Sequence, residues 1–203
     1  MKRLCFFGSK DMQYVLASAS PRRKQLLSEC IEKFEIIPSL ADESGQVAES
    51  PKALVMQLAK CKANEVATRK ENTGKIVIGA DTVVAFDEKV LGKPVDEEDA
   101  FRMLKMLSGN KHYVYTGVCL MQIKDGKVNE LVAADETEVY FEQLDDAWIR
   151  AYIAGGSPMD KAGSYGIQDG GLVKRIEGSY TNVVGFPVKL FKNLLERAEK
   201  EWQ

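Results

Sequence analysis

Histidine is almost missing from this chain. His112 is the only one in 203 residues, so a Ser-His-Asp triad could be built on that residue alone, and no nucleophile-elbow motif accompanies it. Metal sites made of histidine are excluded almost as firmly. His112 falls in an expected strand beside Tyr113 and Tyr115, has no evident partner, and is read as structural. Cysteine is sparse too. Cys5, Cys30, Cys61 and Cys119 are scattered with no C-x-x-C pair, which argues against zinc and a disulfide framework and fits reduced thiols in the cytoplasm. Neither sign of charge is in excess: 28 basic against 30 acidic residues give a net charge of −2. No nucleic-acid partner is expected on that balance. Long apolar runs are absent as well. The longest, Ile76–Phe86, is too short to cross a membrane and carries Asp81 in its middle. No signal peptide is expected, because the two basic residues at the start are not followed by a long apolar stretch. Enzymatic chemistry in such a chain would rest on carboxylates, lysines, arginines and a hard metal.

The length allows one domain or two closely joined lobes with a sizeable core. Strand and helix alternate, with some consecutive strands. Strands are predicted at Tyr14–Ala17, Phe34–Pro38, Ile76–Phe86, Val90–Leu91, His112–Ile123, Val128–Phe141 and Leu172–Ile176. Helices are predicted at Arg22–Cys30, Pro51–Thr68 (capped by Ser50), Glu97–Leu107 and Asp145–Ala154. A final helix is marked by Val188, Phe191, Leu195 and Ala198. A glycine-rich stretch runs from Gly155 to Gly171. The mixture argues for an α/β fold with a mixed sheet. No repeat or interdomain linker interrupts it, so residues 1–203 are taken as one domain, with 1–12 as a loosely held extension.

Several residues stand out chemically. In Ser18-Ala19-Ser20-Pro21-Arg22-Arg23, Ser20 suits an N-cap and Pro21 the first helical position. Two arginines then occupy the first turn, where the helix dipole disfavours cations. A bound anion would remove that conflict, since free N–H groups and guanidinium forks suit phosphate. The alternative is a capped helix with two solvated arginines. Asp81 interrupts an apolar strand, and a buried carboxylate must be protonated, paired or metal-bound. Its plainer reading is a strand-end cap. Gly79 and Ala80 leave room beside it for close approach. Lys62 shares a helix face with Leu58, Ala59 and Val66, and the pattern alone favours a snorkelling side chain over one facing a polar cleft. Lys93, in Leu91-Gly92-Lys93-Pro94, does not form a Walker A loop and alone reads as a surface turn. Asp42-Glu43 reads as a solvated acidic pair that could also supply oxygens to a hard cation.

Taken together, these segments resemble the Maf family. Ser18–Arg23, Asp42-Glu43, Lys62, Gly79-Ala80-Asp81-Thr82, Gly92-Lys93-Pro94, Leu107-Ser108-Gly109, Tyr115-Thr116-Gly117-Val118, Asp160–Gln168 and Ile176–Gly185 occur in the family's order. The likeness runs from Val15 into the last helix. It implies an elongated mixed sheet flanked by helices, two lobes and a central cleft, like the inosine triphosphate pyrophosphatases. It also implies a house-cleaning enzyme that cleaves nucleoside triphosphates to monophosphate and pyrophosphate, with Mg²⁺ or else Mn²⁺ or Co²⁺. The Tyr165-Gly166-Ile167-Gln168 form is similar to the subgroup acting on dTTP and UTP. Carried onto this sequence, Arg22 and Arg23 would hold the triphosphate at the helix begun by Ser20 and Pro21. Glu43 would bind metal, and Lys62 and Lys93 would neutralise phosphate charge. Asp81 would bind metal or deprotonate the attacking water. Gln168 would read a pyrimidine edge or support catalysis, with Ser18 and Thr82 as lesser contacts. Asp160 and Lys161 would pair and shape their loop. The resemblance further implies a homodimer in the cytoplasm and a link to septum formation. Two alternatives stand beside this reading: a nucleotide-binding regulator of cell division with little turnover, and a pyrophosphatase for 7-methyl-GTP or other modified triphosphates. One departure concerns Asp169, which separates Gln168 from Gly170 where the family often has glycine directly.

Overall fold

A computed structural model describes residues 12–87 and 89–202. Cys5 and all but Met12 of the expected N-terminal extension lie outside the described residues. The chain runs β1 (Tyr14–Leu16), α1 (Pro21–Ser28), β2 (Glu35–Ile36), α2 (Pro51–Ala67), β3 (Ile76–Phe86), β4 (Lys89–Leu91) and α3 (Glu97–Leu107). It continues with β5 (Lys111–Lys124), β6 (Lys127–Phe141), α4 (Asp146–Ala154), β7 (Val173–Glu177), α5 (Tyr180–Val184) and α6 (Val188–Glu201). The seven strands form one mixed sheet in the order β2-β1-β3-β5-β6-β7, with β4 also on β3. β1 pairs parallel to β2 and β3, whereas β3–β4, β3–β5, β5–β6 and β6–β7 are antiparallel. The expected mixed α/β architecture is therefore present.

The local causes are those the sequence carries. Ser20 and Ser50 cap α1 and α2 by accepting the N–H of Arg23 and Ala53, and each is followed by proline at the first helical position. Asp96 and Asp145 cap α3 and α4 in the same way. The turn between β5 and β6 places Asp125 and Gly126 at positive φ.

Three elements differ from expectation. The strand expected over Phe34–Pro38 shrinks to Glu35–Ile36 at the sheet edge, pairing only with β1. The glycine-rich stretch contains three 3-10 turns, Ser157–Asp160, Ala162–Ser164 and Ile167–Asp169. α5 was not anticipated: it is five residues long, capped by Ser179 and ended by Gly185 at positive φ.

The core lies in three clusters. α1 and α6 cover one face of the sheet around Leu16, Ile78, Val118 and Leu120. α2 covers the other face over Val77, Cys119 and Met121. α3 and α4 cover the far end of the long strands around Val84, Val114 and Val139. What positions the functional site is a gap in strand pairing. β1 is in register with β3 only through Ile78, and β4 pairs with β3 only from Val84 onward. Residues 79–83 of β3 thus form a notch in that edge, and Asp81 sits at its centre.

Candidate active site

A cavity of about 460 Å³ opens at this notch, within the size range of small-molecule sites. Its polar and charged lining includes Ser20, Arg22, Arg23, Glu43, Lys62, Asp81 and Lys93, with Asp160, Lys161 and Gln168. Val84, Val114, Val183, Tyr165 and Gly166 line it too.

The acidic centre is assembled by α2 crossing β3. A Cβ at Gly79 would lie 2.2 Å from the Ala59 carbonyl oxygen, so only glycine lets the helix lie this close. The group expected to approach at Gly79 is therefore α2 itself, and the approach delivers Lys62 to Asp81. Lys62 Nζ lies 2.5 Å from Asp81 Oδ1 and 3.1 Å from Glu43 Oε1. Lys62 does not snorkel into open water as the helix pattern suggested. Its side chain is 14% exposed and Asp81's is 12%, because the helix face that looked apolar ends over the notch, where two acids receive the ammonium. Asp81 is thus a paired carboxylate, one of the three states that burial allows it.

Arg23 is held from three sides. Its Nε donates to the Gly185 carbonyl at 3.0 Å, one terminal nitrogen to Ser18 Oγ at 3.3 Å, and the other to Thr82 Oγ1 at 3.2 Å. Burial lowers its pKa, and Asp81 opposes that shift. Three of about five N–H donors are used, which leaves the fork oriented with donors to spare. Behind it a polar chain runs into the core. Thr82 Oγ1 is 3.0 Å from Thr116 Oγ1, Thr116 donates to the Asn182 carbonyl, and buried Asn182 Nδ2 donates to Val114 O and Thr137 Oγ1. Thr116 and Asn182 fall within the motifs Tyr115–Val118 and Ile176–Gly185, but the sequence assigns neither a role. A polar residue on an apolar strand and an asparagine three positions after a cap serine are the available signals.

The other expected site residues divide by position. Arg22 lines the cavity and lies 3.7 Å from Asp160 Oδ2. Lys93 lines it with no acidic partner among the described residues. Gln168 lines it with its amide free of hydrogen bonds to other described residues. Ser18 is buried and does not line the cavity; its hydroxyl also accepts the Ser20 N–H, so it supports Arg23 and the helix start. Lys161 and Asp160 pair at 2.8 Å, as expected. His112 lies outside the cavity, fully buried, with Nε2 2.8 Å from the Tyr165 hydroxyl.

A hard divalent ion fits this donor set. Two carboxylates already converge on one positive charge, and Mg²⁺ is commonly held by one or two carboxylates together with substrate phosphates. Among the described residues no group of three or more His, Cys, Asp or Glu side chains is arranged as a metal site, so phosphate oxygens would complete the coordination.

A family model described as Maf-like protein matches residues 13–198. The chain is 51% identical over 184 residues to a dTTP/UTP pyrophosphatase of Thermococcus gammatolerans, covering 90% of this chain and 95% of that protein. It is 52% identical over 186 residues to the Thermococcus kodakarensis protein of the same name, at 90% and 95% coverage. Identity to the Ruminiclostridium cellulolyticum dTTP/UTP pyrophosphatase is 45% over 190 residues, at 92% and 96% coverage. The solved Staphylococcus aureus Ham1 protein aligns over 91% of this chain and 98% of that one, at a TM-score of 0.48 and 12% identity, too loosely to bear on either fold or activity. With its motifs in the family's order and residues 13–198 matched by the family model, this chain belongs to the Maf-like protein family.

Proposed function

We propose that this chain is a nucleoside triphosphate pyrophosphatase that converts dTTP and UTP to the monophosphate and pyrophosphate. The observation that carries the reading is the Lys62–Asp81–Glu43 cluster together with Arg22, Arg23 and Lys93 in the lining of one cavity. Acids that can hold a divalent ion and cations that can hold a polyphosphate line the same cavity, and Val84, Val114, Val183 and Tyr165 add uncharged surface that a base can use. The curated relatives named as dTTP/UTP pyrophosphatases support the same substrate class.

In this mechanism the triphosphate lies with its phosphates at the start of α1, where Arg22 and Arg23 donate to oxygens. Glu43 and Asp81 would hold the ion, which when bound would neutralise phosphate charge as a Lewis acid. Lys62 shifts its ammonium from the two acids toward phosphate, and Lys93 adds a second positive charge where charge develops as the anhydride bond breaks. Asp81 has a second carboxylate oxygen beyond the one facing Lys62, and this oxygen can orient water or accept its proton. Gln168 offers an amide that both donates and accepts, matching the edge of uracil or thymine. A homodimer in the cytoplasm belongs to the same reading. Among the described residues no helix is long and apolar enough to cross a membrane.

The test is pyrophosphate release from a panel of canonical and modified triphosphates, with Mg²⁺ and with EDTA. Metal-dependent turnover of dTTP and UTP is expected. Turnover restricted to 7-methyl-GTP or other purines would overturn the substrate class. Tight nucleotide binding with no turnover of any substrate would overturn the enzymatic reading.

A further inference from the structure

The turn that carries Gln168 is anchored by a residue outside the cavity. Asp169 shares the 3-10 turn Ile167–Asp169 with Gln168, but it does not line the cavity. Its Oδ2 accepts the Tyr152 hydroxyl at 2.5 Å and the Ser157 hydroxyl at 2.7 Å. The Tyr152 oxygen in turn accepts the Gly166 N–H at 3.1 Å. Lys161 Nζ closes the circuit on Ser157 Oγ at 3.0 Å.

Two features make this circuit rigid. Tyr152 belongs to α4 and stacks on Trp148, with ring centroids 5.3 Å apart and planes 21° off parallel, so its hydroxyl is fixed to a helix. At Gly166, a Cβ would come within 2.9 Å of both Asp169 Oδ2 and Lys161 Cε, so the segment is folded tightly over its own carboxylate. Burial pushes the Asp169 carboxyl up, yet the Ser157 and Tyr152 hydroxyls, with Lys161 and Arg22 nearby, bring it below its ordinary range. It is a charged acceptor, the stronger kind. Gln168, one residue earlier, lines the cavity, and its amide has no hydrogen-bond partner among the described residues.

We propose that Asp169, acting through Tyr152 and Ser157, is a positioning residue that sets base selection by fixing where Gln168 presents its amide. A uracil or thymine edge offers an N–H between two carbonyls, whereas cytosine reverses donor and acceptor at two of these positions. An amide held in place answers the first and is mismatched to the second, because a site built around one hydrogen-bond pattern leaves polar groups unpaired with the wrong base. An amide on a loose turn can adapt to both. The proposal rests on the cavity being a nucleoside triphosphate site.

The test compares wild type with D169A, D169N, Y152F, Q168A and the double variant Q168A/D169A. D169A and Y152F are expected to raise KM for UTP about tenfold and to reduce the UTP-to-CTP preference in kcat/KM by a similar factor, about 1.4 kcal/mol. Their kcat should stay within about twofold of wild type, since the anchor touches no reacting atom. D169N retains an oxygen that can accept both hydroxyls, and is expected to recover most of the preference. Because Asp169 acts through Gln168, Q168A/D169A should be no worse than Q168A alone. Equal loss on UTP and CTP, failure of D169N to rescue, or additive effects in the double variant would each overturn the proposal. If wild type turns over neither dTTP nor UTP, the functional reading fails on its own. The positioning proposal is then judged from calorimetric binding of α,β-methylene-UTP and α,β-methylene-CTP, where an unchanged ratio in D169A overturns it. Should D169A unfold, Y152F and D169N carry the same comparison.

Discussion

Lys62 Nζ stands 2.5 Å from Asp81 Oδ1, a helix residue and a strand residue joined at the one stretch of β3 that lacks a neighbour on its outer edge. With Glu43 at 3.1 Å, one ammonium balances two carboxylates where a triphosphate and its metal would enter. Removing the Asp81 charge should therefore disable the chemistry while leaving the pocket in place. D81N keeps the size of the side chain and one accepting oxygen, and Lys62 keeps Glu43. The expected loss in kcat is about 10²–10⁴-fold, the range for a positioned general acid or base, with a far-ultraviolet circular dichroism spectrum unchanged from wild type. Pyrophosphate release at saturating UTP checks it, and a D81N rate within a few-fold of wild type would remove Asp81 from the mechanism.

Arg23 should not tolerate lysine. Its fork contacts Gly185 O, Ser18 Oγ and Thr82 Oγ1 at once, which a single ammonium cannot reproduce. A hydrogen bond to a charged group is worth about 1.5–3 kcal/mol, so R23K is expected to lower kcat/KM roughly 10- to 100-fold. The same variant should weaken nucleotide binding measured by calorimetry. Binding equal to wild type would show that Arg23 is structural only.

Gly79 is a packing requirement with a functional consequence. G79A puts a methyl group on the Ala59 carbonyl and must push α2 from the sheet. Overpacking of this kind destabilises by about 1–3 kcal/mol, or roughly 2–12 °C in Tm for a chain of this length. Because α2 carries Lys62, turnover should fall even at temperatures where the variant is fully folded. A normal rate in a folded G79A protein would separate helix placement from the acid–lysine contact.

His112 gives a pH dependence of stability. Burial depresses its pKa from 6.5 to about 3, so the folded chain keeps the ring neutral. Above pH 6.5 both folded and unfolded states are neutral at this residue and the group contributes no slope. Between about 6.5 and 3 the unfolded state binds a proton that the folded state does not, and stability falls as pH falls. The slope from this residue approaches 1.4 kcal/mol per pH unit, about one factor of ten in the unfolding constant per unit. Urea denaturation of wild type and H112Q at pH 7 and pH 4.5 should show the wild type losing more stability than the variant. Equal losses would mean that His112 is protonated in the folded protein.

Much of this architecture could be read along the chain because its signals are local. The Ile76–Phe86 strand is an apolar run between breakers, broken only by Asp81 and Thr82, and Ser50-Pro51 or Ser20-Pro21 state a helix start within two residues. α5 escaped because five residues do not complete two turns of a periodic pattern. The helical face of Lys62 was legible, but what lay opposite it was not, since that depends on Gly79 admitting α2 to the sheet. The resemblance implies Ser18 as a lesser substrate contact, but not that its hydroxyl accepts from Arg23 and the Ser20 N–H, which only the packed loop reveals. The chain from Thr82 through Thr116 to Asn182 joins three segments remote in sequence, and no single one of them signals the other two.

The cavity wall is built in two different ways. Ser20, Arg22, Arg23, Glu43, Lys62, Asp81 and Lys93 come from the α1 start, the 42–43 loop, α2, β3 and the turn after β4, so changing them means altering several elements that also hold the fold together. Asp160, Lys161, Ala162, Tyr165, Gly166 and Gln168 all come from one short stretch between α4 and β7. That stretch lies outside the sheet and its covering helices, so it is where the wall can be reshaped at least cost to the fold.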